Sequence, residues 1–272
     1  MPAPLRWIIY PLLFVLGLVA MGVAMVAIVL VLAYPNLPSL EALTDYRPKV
    51  PLRVYTADGH LIGEFGEERR QVVRIEEVPA VMKQAILAAE DERFYQHGGV
   101  DTLGVLRALI ANLSSGDKRQ GASTITQQVA RNFFLSSEKT YTRKLYEALL
   151  SFKIEHYLSK DQILELYINQ IYLGQRAYGF SAAAQIYFGK PLADLGPAEA
   201  AMLAGLPKAP SAFNPVVNPR RAKVRQQYVL RRMHELGALD EAAYEAALKQ
   251  QLVVKRDISD YPVRAEYVAE MA

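Results

Sequence analysis

The chain has 272 residues, of which 51% are hydrophobic, and it carries a formal net charge of +3 and no cysteine. Its length is sufficient for one well-buried domain of roughly 200 residues with shorter segments beside it. The lack of cysteine excludes disulfide frameworks and cysteine-ligated metals. The small net charge and the absence of an aromatic-basic motif argue against nucleic acid as a partner. The four histidines lack metal-ligand spacing, so no metal site is predicted.

The first long segment, residues 7–34, is a run of 28 residues without a charged side chain. A helix needs about 20 apolar residues to cross a bilayer core, whereas a cleaved signal peptide has an apolar region of about 7–15 residues. We therefore predict a cytoplasmic N-terminus at 1–6 and a transmembrane signal anchor at 7–34. The flank offers only Arg6 and the amino terminus, and a basic flank favours the cytoplasmic side. This orientation places residues 35–272 on the outer face.

Beyond the anchor, the proline-containing stretch 35–50 reads as a linker. Two short β-rich runs, 52–56 and 61–65, surround an Asp-Gly pair and predict a hairpin. Residues 71–75 are expected to add a third strand. These runs make a small β element over 51–76, at the start of a domain predicted to extend from 51 to 250.

From Pro79 onward the apolar period becomes helical, so the fold class is predicted to be mainly α. Ser159 with Gln162 fits a capping box, Pro197 fits a first helical turn, and Asp240 fits an N-cap. A first helix is expected from Pro79 to Glu90. Further helices are predicted at about 102–113, 122–135, 142–158, 160–173, 178–188, 197–206, 219–236 and 240–250.

Glu90 is the first candidate for chemistry, because it closes an apolar helix and precedes Asp91 and Glu92. A position near a helix C-terminus and two acidic neighbours both favour a raised carboxyl pKa. Such a pKa suits a general acid or base that works near neutral pH. The alternative is an ordinary solvated acidic helix end.

The segment 121–128 has a glycine, two hydroxyl residues at cap positions and two adjacent amides. Free N–H groups and hydroxyls at a helix N-terminus bind anionic oxygens, and a cation four residues after an amide shares its face. An ordinary capped helix with an exposed polar side is the alternative. The candidate residues are Ser123, Thr124, Gln127, Gln128 and Arg131.

A second carboxylate, Glu147, lies three residues after Lys144 on the same helical face. With Arg131 and Arg143 nearby in the pattern, these residues suit a diphosphate and an acid that orders its cations. The alternative is an exposed ion pair of little energetic value. Asn169 and Tyr172 form a possible polar patch that core packing would also explain, and the Lys208 loop either lines a cleft or connects helices.

Taken in order, five motifs resemble the family 51 peptidoglycan glycosyltransferases. They are Glu90 to Gly98 with Phe94, Gly-x-Ser-Thr-x-x-Gln-Gln at 121–128, Arg-Lys-x-x-Glu at 143–147, Glu-Leu-Tyr-x-Asn-x-x-Tyr-x-Gly at 165–174, and Ala-Gly-Leu-Pro-Lys-Ala-Pro-Ser-x-x-Asn-Pro at 204–215. The resemblance implies a lysozyme-like domain with a smaller membrane-proximal lobe, in the bacterial inner membrane and facing the periplasm. It implies that the chain polymerises lipid II onto a growing glycan strand and releases undecaprenyl diphosphate.

The resemblance also implies residue roles. Glu90 is expected to be the base that deprotonates the acceptor 4-hydroxyl, with inversion at the donor anomeric carbon. Lys144 and Arg131 would offset the charge of the departing diphosphate, and Glu147 would order it together with its cations. Ser123, Thr124, Gln127 and Gln128 would line the donor side. No cofactor is assigned, and a divalent ion, Mg²⁺ or Mn²⁺, is left open.

The end of the chain, 264–271, resembles the segment that leads onward in class A penicillin-binding proteins of the 1A type. We therefore expect residues 251–272 to begin a linker to a transpeptidase domain, with the sequence a fragment of a longer bifunctional protein. The expected partners are lipid II, the glycan strand, the bilayer and cell-wall assembly proteins. Two rival functions remain: a lytic transglycosylase that cleaves glycan strands, and a non-catalytic membrane scaffold.

Overall fold

The computed structural model describes residues 3–44, 52–59, 61–65, 68–115, 123–135 and 140–255, and within these ranges helices dominate, as predicted. The strands are β1 (Leu52–Tyr55), β2 (Leu61–Phe65), β3 (Arg69–Arg70) and β4 (Ala177–Tyr178). The helices are α1 (Ala3–Ala33), α2 (Glu41–Thr44), α3 (Ala80–Glu90), α4 (Thr102–Ser115), α5 (Ile125–Phe134), α6 (Tyr141–Tyr157), α7 (Lys160–Gln170), α8 (Phe180–Phe188), α9 (Pro197–Ala204), α10 (Pro219–Glu235) and α11 (Glu241–Lys249).

The N-terminal apolar segment is helical, since α1 covers it almost entirely. Among the described residues, no helix has the length and hydropathy that a membrane crossing requires. The anchor expected at 7–34 is therefore not confirmed.

The segment after α1 packs on the domain, although a linker was expected there. Leu37 and Leu43 are buried in the main hydrophobic cluster, and Lys153 Nζ donates a hydrogen bond to the carbonyl of Pro38 at 3.0 Å. Apolar side chains in a nominal linker therefore fix the end of α1 to the body of the protein. Residues 45–50, the rest of the predicted linker, lie outside the described ranges.

The predicted hairpin is confirmed, because β1 and β2 pair antiparallel with Leu52 opposite Phe65 and a shift of register between Val54 and Tyr55. The third strand expected at 71–75 is wrong. The chain instead forms β3 at Arg69–Arg70, which pairs in parallel with β4, and then a 3-10 turn at Ile75–Glu77. A partner strand more than 100 residues away decided this pairing, so local β propensity could not locate it.

The core lies where two groups of helices meet. In one group α3 packs on α9 and α10, and in the other α5 packs on α6 and α7. Met82, Ala85 and Ile86 make α3 apolar on the side that faces this core, and all three are fully buried. The two groups bring the end of α3 and the start of α5 together, which determines the position of the candidate site.

Local capping signals locate most helix starts correctly. Ser159 and Gln162 form the predicted capping box, Pro197 occupies the first turn of α9, and the Asp240 side chain accepts a hydrogen bond from the Ala243 N–H. Helix ends are less accurate. The helix expected over 160–173 ends at Gln170, because Tyr172 pairs with Tyr178 across the turn that contains Gly174.

Asn169 lies near the end of α7 and connects this helix to the segment after β3. Its Oδ1 accepts a hydrogen bond from the Val73 N–H at 2.9 Å, and its Nδ2 donates to the carbonyls of Val73 and Glu165 at 2.8 and 3.0 Å. The side chain is 5% exposed. Because its amide is fully used within the fold, the structure assigns Asn169 a structural role and does not support the predicted role in substrate binding.

Replacing Asn169 with alanine should therefore destabilise the protein. Three hydrogen bonds are lost and the Val73 backbone groups are left without their partner, so we expect a loss of about 1–3 kcal/mol in the free energy of unfolding. Urea unfolding of the detergent-solubilised chain measures this loss. Gln84→Ala, at an exposed position of α3, is the control and should change the free energy little. Equal losses in the two variants would contradict the assignment.

Candidate active site

Glu90 is the last residue of α3, and its side chain is largely buried, with 12% of its surface exposed. Gln128, in the first turn of α5, donates a hydrogen bond from Nε2 to Glu90 Oε2 at 2.8 Å. On the other side, the nearest guanidinium nitrogen of Arg225 in α10 lies 3.9 Å from Oε1. Three helices that are distant in sequence thus hold one carboxylate.

Burial raises the pKa of the Glu90 carboxyl above its usual value. The hydrogen bond from Gln128 and the positive charge of Arg225 act in the opposite direction, as do the charges of Lys208 and Arg131. The predicted increase in the pKa of Glu90 is confirmed, but its main cause is desolvation, not the helix end or the acidic neighbours. Sequence alone could not show that the end of α3 is covered.

The acidic neighbours of Glu90 are engaged in structural contacts. Asp91 accepts a hydrogen bond from the Ile125 N–H at 3.0 Å and pairs with His97 Nε2, also at 3.0 Å, so it fixes the N-terminus of α5. Glu92 pairs with Arg107 on α4 and with Arg232 on α10. These contacts hold the elements that surround Glu90.

A cleft of about 440 Å³ opens beside Glu90. Polar groups from three helices line it: Ser123 and Thr124 before α5, Arg107 from α4, and Tyr228 and Arg232 from α10. A cleft of this size, with a buried carboxylate and convergent polar groups at its wall, is the usual form of a ligand site.

The predicted helix cap forms in the segment before α5. Thr124 is the N-cap residue, and it forms a reciprocal capping box with Gln127. Their side chains are thereby used to start the helix, although Thr124 also lines the cleft. Ser123 Oγ accepts a hydrogen bond from Lys144 Nζ at 3.0 Å, which links the cleft wall to α6. Gly121 and Ala122 lie outside the described residues.

Glu147 is fully buried on α6 and lies between two cations. Lys144 Nζ pairs with its Oε2, and Arg143 Nε lies 3.3 Å from its Oε1. Lys144 remains about half exposed, at 48%, so its charge also reaches solvent. The alternative of a weak exposed ion pair is excluded for Glu147, because a buried carboxylate held by two cations orients both of them.

Arg131 and Lys208 face the same region. Neither side chain makes a hydrogen bond or ion pair with a described residue, and both are close enough to affect the Glu90 carboxyl. Lys208 lies in the exposed loop after α9. Of the two alternatives for the Lys208 loop, lining a cleft or only connecting helices, the structure favours a position beside the site.

Tyr172 does not join this group within the described contacts. Its ring packs on Tyr178 with centroids 5.1 Å apart, and it is 39% exposed. The structure therefore brings Gln128, Arg131 and Lys208 close to Glu90, and it links Lys144 to the cleft wall through Ser123. Asn169 and Tyr172 have other surroundings.

Two residues of the site were missed by sequence reasoning. Arg225 is 8% exposed beside Glu90, and burial raises the pKa of the Tyr167 phenol well above its usual value, with Glu90 contributing in the same direction. No described residue hydrogen-bonds to the Tyr167 hydroxyl. One signal was available: Arg225 interrupts the apolar stripe formed by Ala222 and Val229 on α10, at helical spacing.

The described side chains do not fit a divalent ion. No group of three or more histidine, aspartate or glutamate side chains within the described ranges is arranged to hold a metal, and Glu147 is already enclosed by Arg143 and Lys144. We therefore derive no step through a metal.

Comparison with known proteins places the chain in a family. The family model described as Transglycosylase matches residues 58–234, so the chain belongs to the transglycosylase family. A penicillin-binding protein 1A from Neisseria flavescens is 57% identical over 256 residues, covering 94% of this chain and 32% of the relative. A penicillin-binding protein 1A from Pseudomonas aeruginosa is 50% identical over 238 residues, covering 88% and 29%. This chain thus spans about a third of the length of these relatives.

One solved structure is also similar: a crystal structure of penicillin-binding protein 1A from Haemophilus influenzae. It shares 32% identity with a TM-score of 0.48, and the match covers 83% of this chain and 24% of that one.

The raised pKa of Glu90 should make the stability of the fold depend on pH. A carboxyl whose pKa is higher in the folded than in the unfolded state stabilises the fold when protonated, and this stabilisation is lost as pH rises through the folded pKa. Glu90→Gln keeps a neutral group at the site. The variant should therefore gain stability relative to the parent as pH rises from about 4, near the ordinary glutamate pKa, towards neutrality.

Thermal unfolding of both proteins across this pH range measures the difference. Glu76→Gln makes the same chemical change at an exposed position, and its offset from the parent should stay small at every pH. If the difference in stability between Glu90→Gln and the parent were the same at every pH, burial would not destabilise the ionised Glu90 carboxylate.

Proposed function

We propose that the chain polymerises lipid II into peptidoglycan glycan strands, as a glycosyltransferase that uses Glu90 as its base. The observation that carries the proposal is the placement of Glu90, a buried carboxylate with a raised pKa at the wall of a cleft and beside several cations. A base of this kind can accept a proton near neutral pH. Membership of the transglycosylase family supports this reading of the chemistry.

In the proposed reaction Glu90 takes the proton of the acceptor 4-hydroxyl. The freed electron pair of that oxygen forms a bond to the anomeric carbon of the lipid-linked donor, and the bond from this carbon to the diphosphate oxygen breaks. The configuration inverts because attack comes from the opposite side. Undecaprenyl diphosphate leaves as an anion, so the step requires one base and positive charge near the leaving oxygen, and no strong acid.

The positive charge would come from residues of two helices and a loop. We assign Lys144 to the diphosphate, because Ser123 at the cleft wall bonds to its Nζ and about half of its side chain stays exposed. Arg131 and Lys208 both act on the Glu90 carboxyl and make no hydrogen bond or ion pair with a described residue, so we assign them to the same anion. Glu147 and Arg143 would orient Lys144, since their contacts lie within α6.

These cations also weigh against a lytic transglycosylase. A lytic enzyme breaks a neutral glycosidic bond and needs an acid for the leaving oxygen, so it gains little from a group of cations ordered by Glu147. A scaffold without catalysis would have no use for a buried carboxylate beside a cleft, because burying that charge lowers stability.

The remaining proposals concern the whole protein. We propose single-pass anchoring in the bacterial inner membrane through 7–34, with the domain at 51–250 on the periplasmic side and 251–272 starting a linker to a transpeptidase domain. The charge-free run supports the anchor, as do exposed apolar side chains along α1 such as Trp7 and Leu16. A lysozyme-like fold and cell-wall assembly partners belong to the same proposal.

Loss of the base should abolish polymer formation. Glu90→Gln keeps the size and the hydrogen bond with Gln128 but cannot accept a proton, so we expect the rate to fall by about 100-fold or more. The purified parent and variant are incubated with labelled lipid II, and the polymer is resolved by gel electrophoresis. Glu76→Gln is the control and should polymerise like the parent. Shortening of preformed glycan by the parent would favour the lytic alternative, and no reaction with either substrate would favour the scaffold.

Removing the cation at position 144 should impair turnover of the donor. Lys144→Ala deletes a charge at the proposed diphosphate site, and we expect kcat to fall by about 100-fold in the same assay. Lys249→Ala, which removes an exposed lysine of α11, should leave the rate unchanged. A near-normal rate for Lys144→Ala would contradict the diphosphate assignment.

A further inference from the structure

Arg225 is the buried cation whose role the proposed reaction leaves open. It lies on α10, and its side chain is 8% exposed. Its guanidinium carbon is 4.5 Å from the ring centroid of Tyr228 and 6.0 Å from that of Phe213, and its Nε donates to the carbonyl of Gly205 at 3.4 Å. A planar guanidinium held in this way against aromatic faces has a fixed position.

Gly205 makes room for this side chain. A Cβ at position 205 would lie 2.8 Å from Arg225 Cγ, which is closer than real contacts allow. The backbone of Gly205 is right-handed, with a φ of −77°, so a positive φ does not explain the glycine. Gly205 follows the last residue of α9, and close packing of Arg225 is the physical reason for glycine at this position.

The two oxygens of Glu90 have different surroundings. Oε2 accepts the hydrogen bond from Gln128, whereas no described residue donates to Oε1. Arg225 lies 3.9 Å from Oε1, which is within range for charge attraction but beyond hydrogen-bond distance. The guanidinium therefore stabilises negative charge on the carboxylate and leaves the lone pairs of Oε1 available.

Several other charged groups lie near Glu90. Lys208 from the loop after α9 and Arg131 from α5 act on the carboxylate, and no described residue forms an ion pair with either of them. Asp91, next along the chain, is held by His97 and the start of α5. The remaining charged groups of the cleft wall are Glu92, Asp101, Arg107 and Arg232. The two acids among them have their own partners: Asp101 pairs with Arg93, and Glu92 pairs with both Arg107 and Arg232.

We propose that Arg225 is a positioning residue whose buried guanidinium keeps Glu90 ionised without bonding to it, so that Oε1 is the oxygen that takes the proton of the acceptor. The catalytic role of Arg225 rests on the proposed glycosyl transfer, whereas its effect on the charge of Glu90 does not. Once Oε1 is protonated, the attraction to Arg225 is lost, and this favours release of the proton before the next turnover.

The test separates charge from shape with two variants of similar length. Arg225→Met removes the charge, and Arg225→Lys keeps it, while both lose the stacked guanidinium and the hydrogen bond to Gly205. The chain is labelled with ¹³C at glutamate carboxyls, and the Glu90 resonance is identified as the one missing in Glu90→Gln. We expect Glu90 to titrate at a higher pH in Arg225→Met than in the parent, and Arg225→Lys to lie closer to the parent.

Polymerisation of lipid II gives a second measurement. The acid limb of the pH profile of kcat/KM should move to higher pH in Arg225→Met and return towards the parent in Arg225→Lys. A structural role alone would lower the rate equally at every pH. Thermal unfolding verifies that each variant folds, and if Arg225→Met does not, Arg225→Gln removes the charge while keeping a donor for the Gly205 carbonyl.

Identical Glu90 titrations in the Met and Lys variants, or no difference between Arg225→Met and the parent, would overturn the role of Arg225. Failure of the parent itself to make polymer has a different meaning. It would refute the proposed function, and the electrostatic assignment would still be decided by the titrations.

Discussion

The structure around the cleft depends on one constraint, the burial of the Glu90 carboxylate at the end of an apolar helix. Removing a charge from water is unfavourable unless the protein supplies hydrogen bonds or opposite charge. Here Gln128 supplies the hydrogen bond, and Arg225 supplies the nearest charge. Because the compensation is incomplete, the pKa of Glu90 stays raised, and the carboxylate keeps the ability to take up a proton.

The same principle operates at two more acidic residues, with different outcomes. Glu147 is fully buried but has two cations within α6, so its charge is matched and serves to orient Lys144. Asp91 is matched by His97 and by a backbone N–H of α5. Oε1 of Glu147 also accepts no hydrogen bond from a described residue, but a cation lies 3.3 Å from it, whereas the nearest cation to Glu90 Oε1 is 3.9 Å away, and Glu90 lines the cleft. This difference separates a group suited to proton transfer from groups that hold the fold.

Local signals predicted what local physics controls. The hairpin, the capping box of Ser159 and the caps at Thr124 and Asp240 follow from turn and cap chemistry within a few residues. The third strand expected at 71–75 does not form, because the chain pairs with β4, far along the sequence, just before this segment, at Arg69–Arg70. Local sequence could not decide between a polar patch and core packing for Asn169, since its partner Val73 is 96 residues away.

The sequence by itself determined the mainly α class, most helix starts, the family motifs and the identity of Glu90 as the central carboxylate, because each depends on residue type and short-range spacing. Only the tertiary structure decided that Glu90 is desolvated and that Gln128 and Arg225 contact opposite sides of it. Burial and charge pairing depend on elements that are brought together by packing of the core. The chemistry of Glu90 is therefore encoded in residues that have no sequence proximity to it.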